Sequence, residues 1–246
     1  MPGPDGNTEK NTITNIVNPM SGIEAVTNAS AFEGGRNTET DAEFRERYYL
    51  SVDFAGGVNI DAIVAEIYES VEAVIAVAGE ENDTDVQSES GLPPHSIEII
   101  AYGGLDEDVA GAIFRRKAAG IQTYGNTSVS VVSSAGTTHK IKFSRPTPVN
   151  VWVKITGLKT DSVFPLDGID RIKQNIVEYI GSNTRGGMAI GQDVICVTLP
   201  TEVLKVPGVV DFDLQISSNG SAFSRENITI AAREKAVTDE SKVTVE

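Results

Sequence analysis

The sequence predicts an α+β fold: two small α/β domains, each a mixed sheet with flanking helices, set in an elongated arrangement behind an N-terminal extended segment. Three observations predict it. The first is a strand–glycine turn–helix pattern from Ser96 to Gly120 that recurs in outline from Val149 to Gly181. The second is the break Ser144-Arg145-Pro146-Thr147-Pro148 between them, where two prolines interrupt any central strand. The third is size: 246 residues with 40% hydrophobic content exceed one ordinary domain and supply enough apolar surface for more than one core. The expected divisions are residues 1–36, 37–145 and 146–246.

Residues 1–36 read as extended and turn-rich. Thr12 to Val17 and Ile23 to Val26 are candidate strands on either side of the turn Pro19-Met20-Ser21-Gly22, and Gly34-Gly35 closes the segment. A polar opening dozen with no core element ahead of it fits the remnant of a truncated preceding domain or a disordered lead. Thr40-Asp41-Ala42-Glu43 then fits a capping box, and a helix is expected from Asp41 to about Phe54. After Gly56-Gly57, Asn59 is available as a cap for a second helix, whose Ile60, Ile63, Val64, Ile67 and Val71 recur at helical spacing and which ends near Ser70.

Val71 to Val77 is β-branched and strand-like, and the acidic stretch Gly79 to Gly91 reads as a long loop. Ser96 to Tyr102 is the next strand; Gly103-Gly104 ends it. Asp106-Glu107-Asp108 opens a helix that stops at Gly120. Ser128 to Val132 and Lys140 to Phe143 are strands joined by Ser133 to Thr137. Beyond the proline break, Val149 to Ile155 is a strand, and Ile169, Ile172, Ile176, Val177 and Ile180 mark a helix capped by Gly181. Val194 to Val206 fits helix or strand, Val209 to Ile216 is a strand, and Ile228 to Ile230 and Val243 to Val245 are shorter ones.

Composition limits function. A formal net charge of -15 opposes nucleic-acid binding, which needs clustered Lys and Arg against phosphates. Cys196 is the single cysteine, so no intramolecular disulfide forms, and within the run Gln192 to Leu199 it reads as core. No run of roughly 20 apolar residues is present to cross a bilayer. Asn-x-Ser/Thr triplets at Asn28, Asn82, Asn126, Asn219 and Asn227 are compositional in an Asn/Ser/Thr-rich chain.

No catalytic, cofactor or metal site is nominated. The acidic loop Glu80 to Asp85 offers oxygen ligands but lacks the sixth-position Gly and the closing bidentate Glu of a calcium loop, so it reads as solvated. His95 and His139 are the only histidines, and Ser96 beside His95 points to the opposite face of its strand. Glycine-rich phosphate loops and nucleophile-elbow patterns do not occur. Arg115-Arg116-Lys117 complements the dipole of its helix. Lys140, Lys142 and Arg145 form the candidate interface, although alternating lysines equally describe a solvated edge strand.

The phrase GLPPHSIEIIAYGGLDEDVAGAIFRRKAAGIQTYG, together with Gly22 to Asn28, Gly34 to Asp41, Phe44 to Arg47, Glu81-Asn82 and Phe143 to Pro146, resembles the baseplate J-like proteins of contractile phage tails and related injection machines. The resemblance implies a non-enzymatic wedge component at the virion tail baseplate, made and assembled in the bacterial host cytoplasm. Its implied partners are further copies of itself and other wedge and hub proteins, without nucleic acid or direct membrane insertion. Two other readings compete with it: a small-molecule enzyme with a site at the inter-domain junction, using His139 or Asp193, and a surface-displayed binding module.

Overall fold

The computed structural model describes residues 6–18, 21–23, 25–32, 40–41, 44–45, 57–184 and 186–246. Among these the chain is α+β, with four α-helices and ten strands in several small sheets. The helix expected from 41 to 54 falls almost wholly outside them; Phe44 N–H donates to Thr40 O at 2.8 Å at its start. Neither candidate strand in the N-terminal segment forms among its described residues. That segment instead folds around Asn28.

The first core comes from residues 60–143. Helix α1 (Ile60–Ser70) starts where Asn59 Oδ1 accepts from Ala62 N at 2.9 Å, as its sequence predicts. It leads into β1 (Val74–Asn82), β2 (Ser96–Gly103), α2 (Asp106–Arg116), β3 (Gln122–Tyr124), β4 (Thr127–Val132) and β5 (Thr138–Phe143). Strand β2 is central, antiparallel to β1 and parallel to β3, and its later half is flanked by Ser144, whose N–H and C=O bond Ile99 and Ala101. β4 and β5 form an antiparallel hairpin beyond it. Ile63, Ile67, Val109 and Ile113 of the helices meet Ile97, Ile99, Ile141 and Phe143 of the strands. Each such side chain contributes roughly 1.5–3 kcal/mol by leaving water.

Two boundaries differ from the sequence reading. β1 runs through Glu80 and Glu81 to Asn82 rather than yielding to a loop at Gly79, because Gly79 to Asn82 pair in register with Ile99 to Ser96. An edge strand tolerates carboxylates on its open face. Helix α2 ends at Arg116, with Gly120 following in a turn at φ +86°.

The second core gathers residues from Val151 to Val243. Strand β6 (Thr147–Asn150) pairs in parallel with β9 (Glu234–Val237), while β7 (Trp152–Thr160) lies between the antiparallel β8 (Val209–Ser217) and the parallel β10 (Val243–Val245). Helix α3 (Gly168–Ile180), closed by Gly181 at φ +98°, packs Ile172, Ile176 and Ile180 onto the sheet. The ambiguous run 194–206 becomes a 3₁₀ turn at Cys196–Thr198 and a short helix α4 (Pro200–Leu204), with Cys196 buried. Ile228 makes only an isolated bridge to Val194, and β9 has no counterpart in the sequence reading.

The proline break corrects another expectation. Pro148 lies inside β6 because Thr147 N–H donates to Arg233 O at 3.0 Å and Val151 N–H to Val237 O at 2.9 Å. In a strand, alternate residues face the partner, so position 148 points the other way and needs no donor.

Candidate functional site: the junction between the two cores

Glu98 has no exposed surface, yet it carries a carboxylate. It sits on β2 on the side opposite the helices, because Ile97 and Ile99 on either side of it turn inward to them. Its Oε1 accepts from Ser144 Oγ at 2.5 Å and from Arg233 Nε at 2.9 Å, and its Oε2 accepts from Arg233 Nη2 at 2.6 Å. Arg233, 135 residues away, arrives on the loop before β9 and also donates from Nη1 to Ser90 O at 2.9 Å. The hydrogen bonds to Glu98 raise the Arg233 pKa above its ordinary value, outweighing burial. A bidentate guanidinium–carboxylate pair is the geometry that repays desolvation best. At the other end of β2 Tyr102 Oη donates to Asn183 Oδ1 at 2.6 Å, a second bond between the two parts of the chain.

Arg145, expected at an interface, is engaged within the chain. Its Nε and Nη2 bond Asp106 Oδ1 at 3.0 and 2.6 Å, and its remaining donors reach the carbonyls of Ala101, Gly103 and Gly104 at 2.6 to 2.9 Å. The guanidinium lies 5.0 Å from the Phe143 ring centre. It therefore fixes the Gly103-Gly104 turn, where a Cβ on Gly103 would fall 2.3 Å from Ala73 O. Asp106 is drawn into this clamp, and the cap residue of α2 is Leu105, which makes no side-chain cap. Lys140 and Lys142 project from the solvent face of β5.

The remaining sequence candidates stay apart. Arg115 and Arg116 do more than complement a dipole: their Nε atoms each bond Glu66 at 2.7 Å and tie α2 to α1. His139 packs tilted against Phe114 with ring centres 4.9 Å apart, whereas Asp193 accepts from Ile230 N at 2.7 Å beside the other core. His95 pairs with Asp85 at 2.8 Å on the surface. The acidic loop is organised by an amide: Asn82 Nδ2 donates to the carbonyls of Val86, Leu92 and Pro93 at 2.8 to 3.1 Å. Among the described residues no cluster of three or more His, Cys, Asp or Glu could hold a metal, and no helix is long and apolar enough to cross a membrane.

Sequence reasoning missed Glu98, Arg233 and Lys235. Lys235 on β9 has no exposed surface, and its Nζ donates to Met188 O at 2.6 Å; burial pushes its pKa down to about 8. The signal for such residues is a charge at an inward or covered strand position, which becomes visible only once the register is known.

Asn28 organises the N-terminal segment. Its Oδ1 accepts from Thr12 N and Ile13 N at 3.1 and 3.0 Å, its Nδ2 donates to Glu9 O and Ser30 O at 2.8 Å each, and a Thr8–Phe32 bridge closes the loop. This part of the chain has a recognisable relative: residues 1–35 match the family model described as the Baseplate J-like protein barrel domain. No curated protein matches the chain. The segment pinned by Asn28 is thus similar to part of a baseplate J-like protein, and that similarity points to a phage tail.

Proposed function

We propose that this chain is a structural, non-enzymatic component of a baseplate wedge in a contractile phage tail or a related injection machine. It assembles with copies of itself and with other wedge and hub proteins, and is made in the host cytoplasm before joining the tail. The observation that carries this reading is the match of residues 1–35 to the baseplate barrel model. The internal chemistry supports it. Glu98, Arg145, Arg115 and Arg116 spend their charges joining parts of the chain. His139 and Asp193 lie beside different cores with partners of their own, which favours a scaffold over the enzyme reading.

On this reading residues 37–145 and 146–246 are two α/β domains held by the Glu98–Arg233 junction, so that force applied to one is passed to the other. Lys140 and Lys142, on an open strand face in a chain of net charge -15, are available to a partner. Deleting the gene is expected to leave tubes or heads without complete contractile tails in electron micrographs. Normal, contractile tails in the deletion strain would falsify the proposal.

A further inference from the structure

Among the described residues several strand edges carry a protection. The open side of β1 carries Glu80 and Glu81, has a register shift between Val74 and Ala76, and offers its Val77 N–H to Tyr68 Oη at 3.0 Å. On β8, Ile216 exchanges both backbone bonds with Ser224. β3 and β10 are three residues each. Charges, bulges, coverage and shortness are the usual protections of an edge. β4, Thr127-Ser128-Val129-Ser130-Val131-Val132, lacks charge, proline and bulge and is regular in register along its whole length; α2 packs over its Val129 and Val131 face.

The hydrogen-bond phase of the hairpin fixes which groups point outward. Ser133 N–H donates to Thr137 O, so residues 131, 129 and 127 form the bonded pairs with 139, 141 and 143. Lys142 N–H accordingly points away from β4 and reaches Thr123 Oγ1 at 2.9 Å. By the same alternation Ser128, Ser130 and Val132 present their N–H and C=O groups to the open side. No described residue bonds them there. Their side chains are exposed, Val132 at 64%.

These positions are symmetric about Ser130. A second β4 laid antiparallel, with Ser130 opposite Ser130, sets 128 against 132 and 132 against 128, and every outward backbone group finds a partner. Val129 meets Val131 on the helix side, and the exposed Val132 gains Ser128 of the second copy as its cross-strand neighbour. Lys140 flanks Ser130 one strand inward, so the Lys140 pair would stand three strand spacings apart, about 14 Å. That exceeds the screening length of about 8 Å at physiological salt, and the lysines do not oppose the pairing.

We infer that β4 is a self-pairing edge: two copies of this chain join through antiparallel β4 strands about a two-fold axis at Ser130, continuing one sheet across both. Two-fold association through one self-complementary patch is the commonest symmetry among soluble oligomers. The inference gives a location to the self-association in the tail reading but does not depend on that reading, and the purified chain tests it without any tail.

Sedimentation equilibrium of the full chain from micromolar to submillimolar concentration is expected to show a monomer–dimer equilibrium. Ser130→Pro removes the two central backbone bonds of the pair and none within the hairpin, and raises the dimer Kd by on the order of tenfold or more. Ser130→Lys, which keeps the backbone intact, weakens it in the same direction through like charges at the axis. Opposed residues in a bonded antiparallel pair lie about 5.5 Å apart at Cα, within disulfide range, so Ser130→Cys should cross-link under mild oxidation while exposed Ser221→Cys does not. A wild-type chain that stays at single-chain mass throughout overturns the inference. So does a dimer that both Ser130→Pro and Ser130→Lys leave intact, or equal cross-linking at 130 and 221.

Discussion

Among the described residues two charged side chains have no exposed surface, one with each core, and they are treated in opposite ways. Glu98, beneath the first core's sheet, receives a bidentate arginine and a serine hydroxyl. Lys235, in the second core, receives one carbonyl, from Met188. A buried ion with a partner makes the structure depend on that partner; a nearly isolated buried amine has its pKa lowered instead. The first charge therefore links distant parts of the chain, while the second makes stability depend on pH.

Breaking the first arrangement should have the largest effect. Arg233→Ala leaves the Glu98 carboxylate buried with only Ser144 to bond it, and is expected to cost about 3–5 kcal/mol in urea unfolding. Replacing both partners, Glu98→Gln with Arg233→Met, should recover much of that loss, because neither charge is then stranded. If the single and double variants lose stability equally, the cost belongs to packing and the pair does not act as a unit.

The second arrangement predicts a different dependence. The unfolded chain holds the Lys235 proton up to its ordinary value of 10.5, whereas the folded chain releases it near 8. Between those values the unfolded state carries more protons, so stability rises with pH from about 8 upward. The full shift corresponds to a penalty of about 3 kcal/mol below pH 8. Lys235→Met should therefore be stabilising or neutral at pH 7 and should flatten the rise between pH 8 and 9.5, read from thermal unfolding at several pH values. An unchanged slope would show that Lys235 does not titrate in this range.

How much of this was legible in the sequence depends on the range over which each feature is determined. α1 with its Asn59 cap, α3 with Gly181, and β2 were readable because apolar period and caps are local. The continuation of β1 through Glu80 and Glu81 was not, since acidic edge residues look like a loop until β2 is seen beside them. Pro148 looked like a break because the side of the strand facing β9 was unknown. Glu98 and Arg233 lie 135 residues apart, and no periodicity joins them. The same holds for Arg145, whose basic neighbours suggested a surface, while its guanidinium is used by the carbonyls of the Gly103-Gly104 turn.

Glu66 sharpens the comparison from the other end, as a charge that is paired but only partly enclosed. Its side chain is 11% exposed, and it takes Arg115 and Arg116 at 2.7 Å each, themselves 51% and 32% exposed. Burial pushes its pKa up, but the two arginine hydrogen bonds together win and hold it below the usual carboxylate range. A depressed carboxylate contributes stability above its unfolded pKa, and that contribution is lost as pH falls through the lower folded value. Glu66→Gln should thus cost about 1 kcal/mol or less near neutral pH, since solvent screens the arginines, and the difference from wild type should shrink as the solution is acidified below about pH 4. A difference that stays constant down to pH 3 would mean that the glutamate acts through packing between α1 and α2. Glu66 and both arginines sit on the helices that cover the first core, far in sequence from Lys235, so the effect should leave the Lys235-dependent rise above pH 8 untouched.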